Sequence, residues 1–162
     1  MESTKYQAKW GELNRALIRL RKFYEKYIQD DLDSFQGPKD FANNFFHISY
    51  ELKESLKKSD KIPEDFKGYD GKVEKFCSSN RWIALSLDIA NQEKHNKLKD
   101  ARSGKKIGSI TSHIHIFDPE GKDRTELKIE IDGQKEDCLE LAIDIVNSWK
   151  NFLTENNLLP SN

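Results

Sequence analysis

The apolar residues of this chain switch period partway along, and that switch limits the folds open to it. Between residues 110 and 131 they recur at every second position: Ile110, Ile114 and Ile116 (with Ser112 in phase), then Leu127, Ile129 and Ile131. On either side they recur at every third and fourth position. A period of two puts alternate side chains on opposite faces of a strand, and a period near 3.6 gathers them on one face of a helix. The two alternating stretches are separated by the turn-forming run Asp118-Pro-Glu-Gly-Lys-Asp and closed by Asp132-Gly133. They read as one β-hairpin over about residues 107–132, with one apolar face and one mostly polar face. An isolated hairpin is marginal in water, so its isoleucine face has to pack on helices.

Those helices are legible from their stripes. Over about residues 4–29, Trp10, Leu13, Leu17, Leu20, Tyr24 and Tyr27 form a seam, with Arg15, Arg19, Lys22 and Lys26 on another face. The link at 30–38 ends that helix, and Pro38 suits the first turn of a second, about 38–58, with Phe41, Phe45, Ile48, Leu52 and Leu56 inward. A polar loop at 59–69 carries Pro63 and Gly68, and a short helical piece follows at about 71–77. Ser78, Ser79 and Asn80 are N-cap candidates for a helix over about 81–98, anchored by Trp82, Leu85 and Ile89. A last helix, about 135–156, turns Leu139, Ala142, Ile143, Val146, Trp149 and Leu153 inward. The expected fold is mainly α: an antiparallel helical bundle with one β-hairpin inserted before its last helix, an α+β arrangement.

A length of 162 residues suits a single domain spanning 1–162. Charged residues make up 34% of the chain, yet the formal net charge is −1. No strong general attraction to nucleic acid or to an anionic membrane follows from that balance. No apolar run approaches the roughly 18 residues of a membrane span, and MESTKYQAKWGELNR lacks the apolar block of a secretory signal. Cys77 and Cys138 sit in no metal-type spacing and read as two reduced, buried thiols. The expectation is a cytoplasmic protein with no membrane partner.

One stretch gathers side chains capable of chemistry. In SLDIANQEKHNK (86–97), Asp88, Asn91 and His95 recur at spacings of three and four and share a helical face. An Asp–His pair can orient an imidazole for general-base work, and His47 on the second helix is a candidate to join it. The structural alternative is that Asp88 and Asn91 bond buried backbone while His95 caps the bundle. His113 and His115 lie two apart on one strand face, but no third or fourth ligand is placed beside them, so no metal site is expected.

Arg15, Arg19 and Lys22, with Lys94 and Lys97, are weak candidates for phosphate contact, since Glu12, Glu25, Glu93 and Asp100 interrupt them. The loop ARSGKKIG (101–108) lacks the order of a phosphate loop and of a dinucleotide fingerprint, which excludes nucleotide binding by those devices. No nucleophile elbow and no Cys–His signature is present, and no cofactor is implied.

The second-helix run FFHISYELKESL (45–56), the D-x-x-N-x-x-K-H run at 88–95, the hairpin and the closing SWKNFL (148–153) together resemble a family of small bacterial proteins. The resemblance covers about residues 41–159, with Asp88, Asn91, Lys94 and His95 its most specific part. It implies a helical fold and a motif helix, without an assigned activity. More distantly the chain resembles HEPN domains, helical bundles of toxin–antitoxin and phage-defence systems whose active members are metal-independent ribonucleases paired around R-x(4–6)-H motifs. The positions where that arginine would precede His95 hold Ala90, Ile89 and Asp88, and those before His47 hold Ala42, Phe41 and Asp40. An aspartate there repels an RNA backbone rather than stabilising a phosphoryl transition state.

Two functions follow as expectations. The first is a non-enzymatic binding or interaction module, a component or regulator of a defence or toxin–antitoxin system, working with a protein partner or as a homodimer. Exposed apolar surface on the first helix or the hairpin would mark it. The alternative is a HEPN-like nuclease or other hydrolase using the Asp88/Asn91/His95 stripe, which requires a concave pocket with a basic rim.

Overall fold

The computed structural model describes residues 4–25, 37–95, 101–115 and 124–159. In chain order these form α1 (Lys5–Glu25), α2 (Pro38–Lys58), a 3₁₀ turn (Glu64–Phe66), α3 (Lys72–Ser79), α4 (Arg81–His95), β1 (Ile107–His115), β2 (Arg124–Ile131), β3 (Gln134–Asp137) and α5 (Cys138–Glu155). The fold is mainly helical with a small antiparallel sheet placed before the last helix, the α+β arrangement that the change of period predicts. The turn at 118–123, Lys26, Tyr27 and Lys97 lie outside the described residues. No helix among those described is long and apolar enough to cross a membrane.

The expected stripes supply the core. Leu13, Leu17 and Leu20 of α1 and Phe45, Ile48, Leu52 and Leu56 of α2 are buried in one core cluster, while Phe41 is half-buried. On α5, Trp149 is fully buried and donates Nε1–H to Ser49 Oγ of α2 at 2.9 Å. Phe76 of α3 lies against Trp149 and stacks on Phe152, and Phe66 of the 3₁₀ turn packs edge-on to Phe152. Leu139 and Ile143, expected inward, are only half-buried; the innermost stripe runs through Leu141, Ala142, Ile145, Trp149 and Leu153. Burial pushes the thiols of Cys77 and Cys138 up to about 12, which leaves both as inert packing groups.

The sheet has one strand more than a hairpin, in the order β1-β2-β3. The last helix accordingly begins at Cys138 rather than near 135. Asp132 and Gly133 both adopt positive φ, 52° and 78°, the two-residue turn that carries a strand straight back along its neighbour. Gln134–Asp137 then pairs with Lys128–Ile131. As its residues are Gln, Lys, Glu and Asp, no alternation of apolar residues announces it.

Where the chain leaves β3 for α5, the β2–β3 pairing ends at Lys128 and Asp137, and among the described residues the main chain of Leu127 has no strand partner on that side. The hydroxyl of Tyr24 fills the gap. It donates to Leu127 C=O at 2.9 Å and accepts from Leu127 N–H at 3.0 Å and Leu139 N–H at 3.3 Å. The end of α1 is thereby fastened to sheet and last helix together.

Candidate functional site

α4 is the central helix. Asn80 starts it, its Oδ1 accepting the N–H groups of Trp82 and Ile83, both at 3.1 Å. From Ile83 to Ala90 every residue is buried. Asp88 is therefore not on a solvent face: it is 2% exposed. Its Oδ1 accepts the Arg102 N–H at 2.9 Å, and its Oδ2 accepts the Ser103 N–H at 2.7 Å and the Ser103 hydroxyl at 2.5 Å. The carboxylate holds the loop that follows α4, the structural role weighed in the sequence.

The same loop is gripped from α3. Arg102 extends its guanidinium to Glu74 Oε2 at 2.7 Å and to Ser78 Oγ at 3.2 Å. Glu74 also pairs with Lys57 at 2.6 Å and Lys53 at 3.6 Å from α2. Burial alone raises the pKa of Glu74, but hydrogen bonds from Lys57 and Arg102 and the charges of Lys53 and Arg102 outweigh it and hold the group at about 2. At the far end of the loop, Lys106 N–H donates to Asp132 Oδ1 at 2.7 Å. Nothing in the run VEKFC around Glu74 advertised this ion-pair hub.

The other sequence candidates are dispersed. Asn91 is half-buried on α4, and the side chains of Lys94 and His95 lie outside the described residues. His47 stands on α2 with Nε2 3.2 Å from Glu51 Oε1, in a shallow groove between α1 and α2 that also contains Arg15 and Arg19. The fold thus brings His47 to the two arginines, whereas Asp88 is buried against the loop at 101–106. Lys22 is exposed near the end of α1, and His113 is exposed on β1 beside Thr111, 3.3 Å away. The side chain of His115 lies outside the described residues, among which no cluster of three His, Cys, Asp or Glu groups is placed to hold a metal.

A different concavity carries more character. A groove of about 340 Å³ lies between the first turns of α4 and α5 and the β2–β3 turn, walled by Ser103 and Lys105 of the anchored loop. Trp82, Leu85, Ile131 and Leu141 line it, and Asp132, Glu136, Asp137, Glu140 and Asp144 rim it. Against these five carboxylates stand Arg81 and Lys105, leaving a net charge of −3.

The guanidinium of Arg81 lies 3.8 Å from the centre of the Trp82 ring, the cation–π placement an indole favours. Asp132 is engaged by Lys105 and Lys106, and Asp137 caps α5 through the N–H groups of Leu139 and Glu140. Glu136, Glu140 and Asp144 make no ion pair among the described residues. The signal that could have found this rim is the charge run at 130–144, six acids to one lysine.

No protein-family model matches this chain, and no curated protein and no solved structure is significantly similar to it.

Proposed function

We propose that this chain is a cytoplasmic, non-enzymatic binding module whose working surface is the α4/β3/α5 groove, and that it takes a cationic segment with an apolar anchor from a protein partner. One observation carries the reading: an apolar floor of Trp82, Leu85, Ile131 and Leu141 stands directly beside three carboxylates, Glu136, Glu140 and Asp144, that form no ion pair among the described residues. An apolar lining with a few convergent polar groups is the general form of a binding pocket. The oxygens of Asp88, one of the catalytic candidates in the sequence, all face donors of loop 101–106, so the motif helix serves the groove by positioning its wall. The HEPN resemblance gives such a module a setting in a defence or toxin–antitoxin locus.

The test is a titration of the isotope-labelled protein with an amphipathic Leu/Arg peptide and its Leu/Glu counterpart, followed by amide and indole shifts. Shifts at Trp82, Ile131 and Glu140 with the basic peptide alone are expected, with a Kd on the order of 10–100 µM for so small a contact. Equal binding of the acidic peptide, or shifts elsewhere, would refute the assignment.

One observation favours a second reading, a hydrolase: His47 is paired to Glu51 beside Arg15 and Arg19, an oriented imidazole next to two cations. Metal-independent cleavage of total RNA, lost in a folded His47→Ala variant, would establish it in place of the binding module.

A further inference from the structure

We infer that the occupant of this groove is helix α1 of a second copy of the chain, an inference that rests on the binding-module reading above. Arg15, Ile18, Arg19 and Lys22 are spaced by three, one and three residues and so share one face of α1. That face is open to solvent, with its Arg15–Arg19 edge bordering the shallow groove against α2. Ile18 is 51% exposed, one of two large apolar side chains so exposed among the described residues, and the three cations around it are exposed as well. A singly exposed isoleucine is ordinary; an isoleucine ringed by three cations that form no ion pair among the described residues is a shaped surface. The opposite face of α1, with Leu13, Ala16, Leu17 and Leu20, is already buried in its own core.

The groove presents the complement. Its apolar floor receives Ile18, and Glu136, Glu140 and Asp144 face Arg15, Arg19 and Lys22. The spacing agrees too: Arg15 and Arg19 are four residues apart on α1, as Glu140 and Asp144 are on α5, about 6 Å along either axis. A chain with a net charge of −1 thus carries one basic and one acidic face, each suited to the other on a neighbouring copy. Since the two copies use different surfaces, the contact is heterologous. It closes if two copies exchange α1 faces and otherwise grows into chains. In this it differs from the paired-motif dimer that the HEPN resemblance implies.

Sedimentation velocity of the full chain over a concentration series tests the inference. Association is expected to rise with protein concentration and to weaken roughly tenfold at about 1 M salt, where the Debye length is about 3 Å. The double variants Arg15→Glu/Arg19→Glu and Glu136→Lys/Glu140→Lys, all at exposed positions, should each be monomeric. Their equimolar mixture should associate again, because a reversed helix face then meets a reversed groove. Ile18→Ser should abolish association while leaving the charge of both faces unchanged.

A wild type that stays monomeric throughout overturns the inference, as does association that survives these substitutions or a mixture that fails to restore it. If the wild type is monomeric while the Leu/Arg peptide still binds the groove, self-docking alone falls. If the peptide fails as well, the binding-module reading falls with it.

Discussion

Replacing Asp88 by Asn keeps the size of the side chain and removes its charge, which isolates what the carboxylate does. An amide can present one oxygen. Placed at Oδ2 it retains the Ser103 N–H and hydroxyl, and its NH₂ then confronts the Arg102 N–H donor to donor. Leaving that amide unpaired costs about 1–3 kcal/mol, and converting two charge-assisted hydrogen bonds to neutral ones costs about 1 kcal/mol each. A neutral side chain is easier to bury at a site 2% exposed, which returns roughly 1 kcal/mol. The expected loss is about 3 kcal/mol, a fall of roughly 6–12 °C in Tm for a domain of this size.

Urea unfolding followed by far-UV circular dichroism, with a thermal melt alongside, reads the loss directly. Ser103→Ala, which removes the hydroxyl alone, should cost about 1 kcal/mol. The double variant should show coupling above about 0.5 kcal/mol, since both changes act on one cluster. A Tm for Asp88→Asn at or above the wild type would sink the reasoning, because a carboxylate held for catalysis at the expense of stability behaves in that way.

Glu74 should make the fold acid-sensitive. Its pKa is depressed to about 2 from 4.5, so its contribution is present above pH 4.5 and lost as pH falls toward 2. The full linkage is about 3 kcal/mol, and solvent screening reduces it to about 1–2 kcal/mol. Glu74→Gln should lower stability at neutral pH and flatten the loss between pH 5 and pH 2 (from about 4.5 downward) in urea titrations; an unchanged acid limb argues against the hub.

The hydroxyl of Ser86 is buried with no hydrogen-bond partner among the described residues. Ser86→Ala is expected to stabilise by about 0.5–1 kcal/mol, through helix propensity and removal of an unsatisfied group, and a measured loss would point to an unrecognised partner. Gly71 is buried before α3, and a Cβ there would overlap the carbonyl oxygens of Lys67 and Phe66. Gly71→Ala should therefore cost several kcal/mol, on the order of 2–4, and a melt near wild type would show that the turn yields.

How far the sequence revealed the molecule depended on whether burial left a period behind. α2 was legible to its ends because Pro38 and five apolar residues mark it, and Asn80 was legible as a cap because its side chain can accept the amides two and three residues on, those of Trp82 and Ile83. β3 was illegible: QKED carries no apolar alternate, and only the turn conformation of Asp132-Gly133 makes it a strand. The spacing of Asp88, Asn91 and His95 predicted a shared helical face, and Asp88 and Asn91 do lie on α4, Asp88 buried and Asn91 half-buried. Nothing in that spacing told that the face meets a loop instead of a cleft, because the partners of Asp88 are backbone amides 14 and 15 residues further on. The groove was harder still, since its apolar floor is drawn from α4, β2 and α5 and its acids are spread over the β2–β3 turn, β3 and α5. Charge content along 130–144 was the readable trace.

The loop at 101–106 touches three parts of the molecule at once: α4 through Asp88, α3 through Glu74 and the β2–β3 turn through Asp132. Its Ser103 and Lys105 form a wall of the groove, so that wall cannot shift without disturbing the central helix. A cleft built in this way is ready before anything enters it, and an incoming segment gives up little ordering entropy in the host. Linkage runs in the other direction as well. Any species that settles between α4 and α5 draws its affinity from the folded state only, and at a hundredfold excess over its Kd raises the unfolding free energy by about 2.7 kcal/mol. The melting temperature of the whole chain is consequently a gauge of occupancy, and candidate partners can be ranked by heat alone.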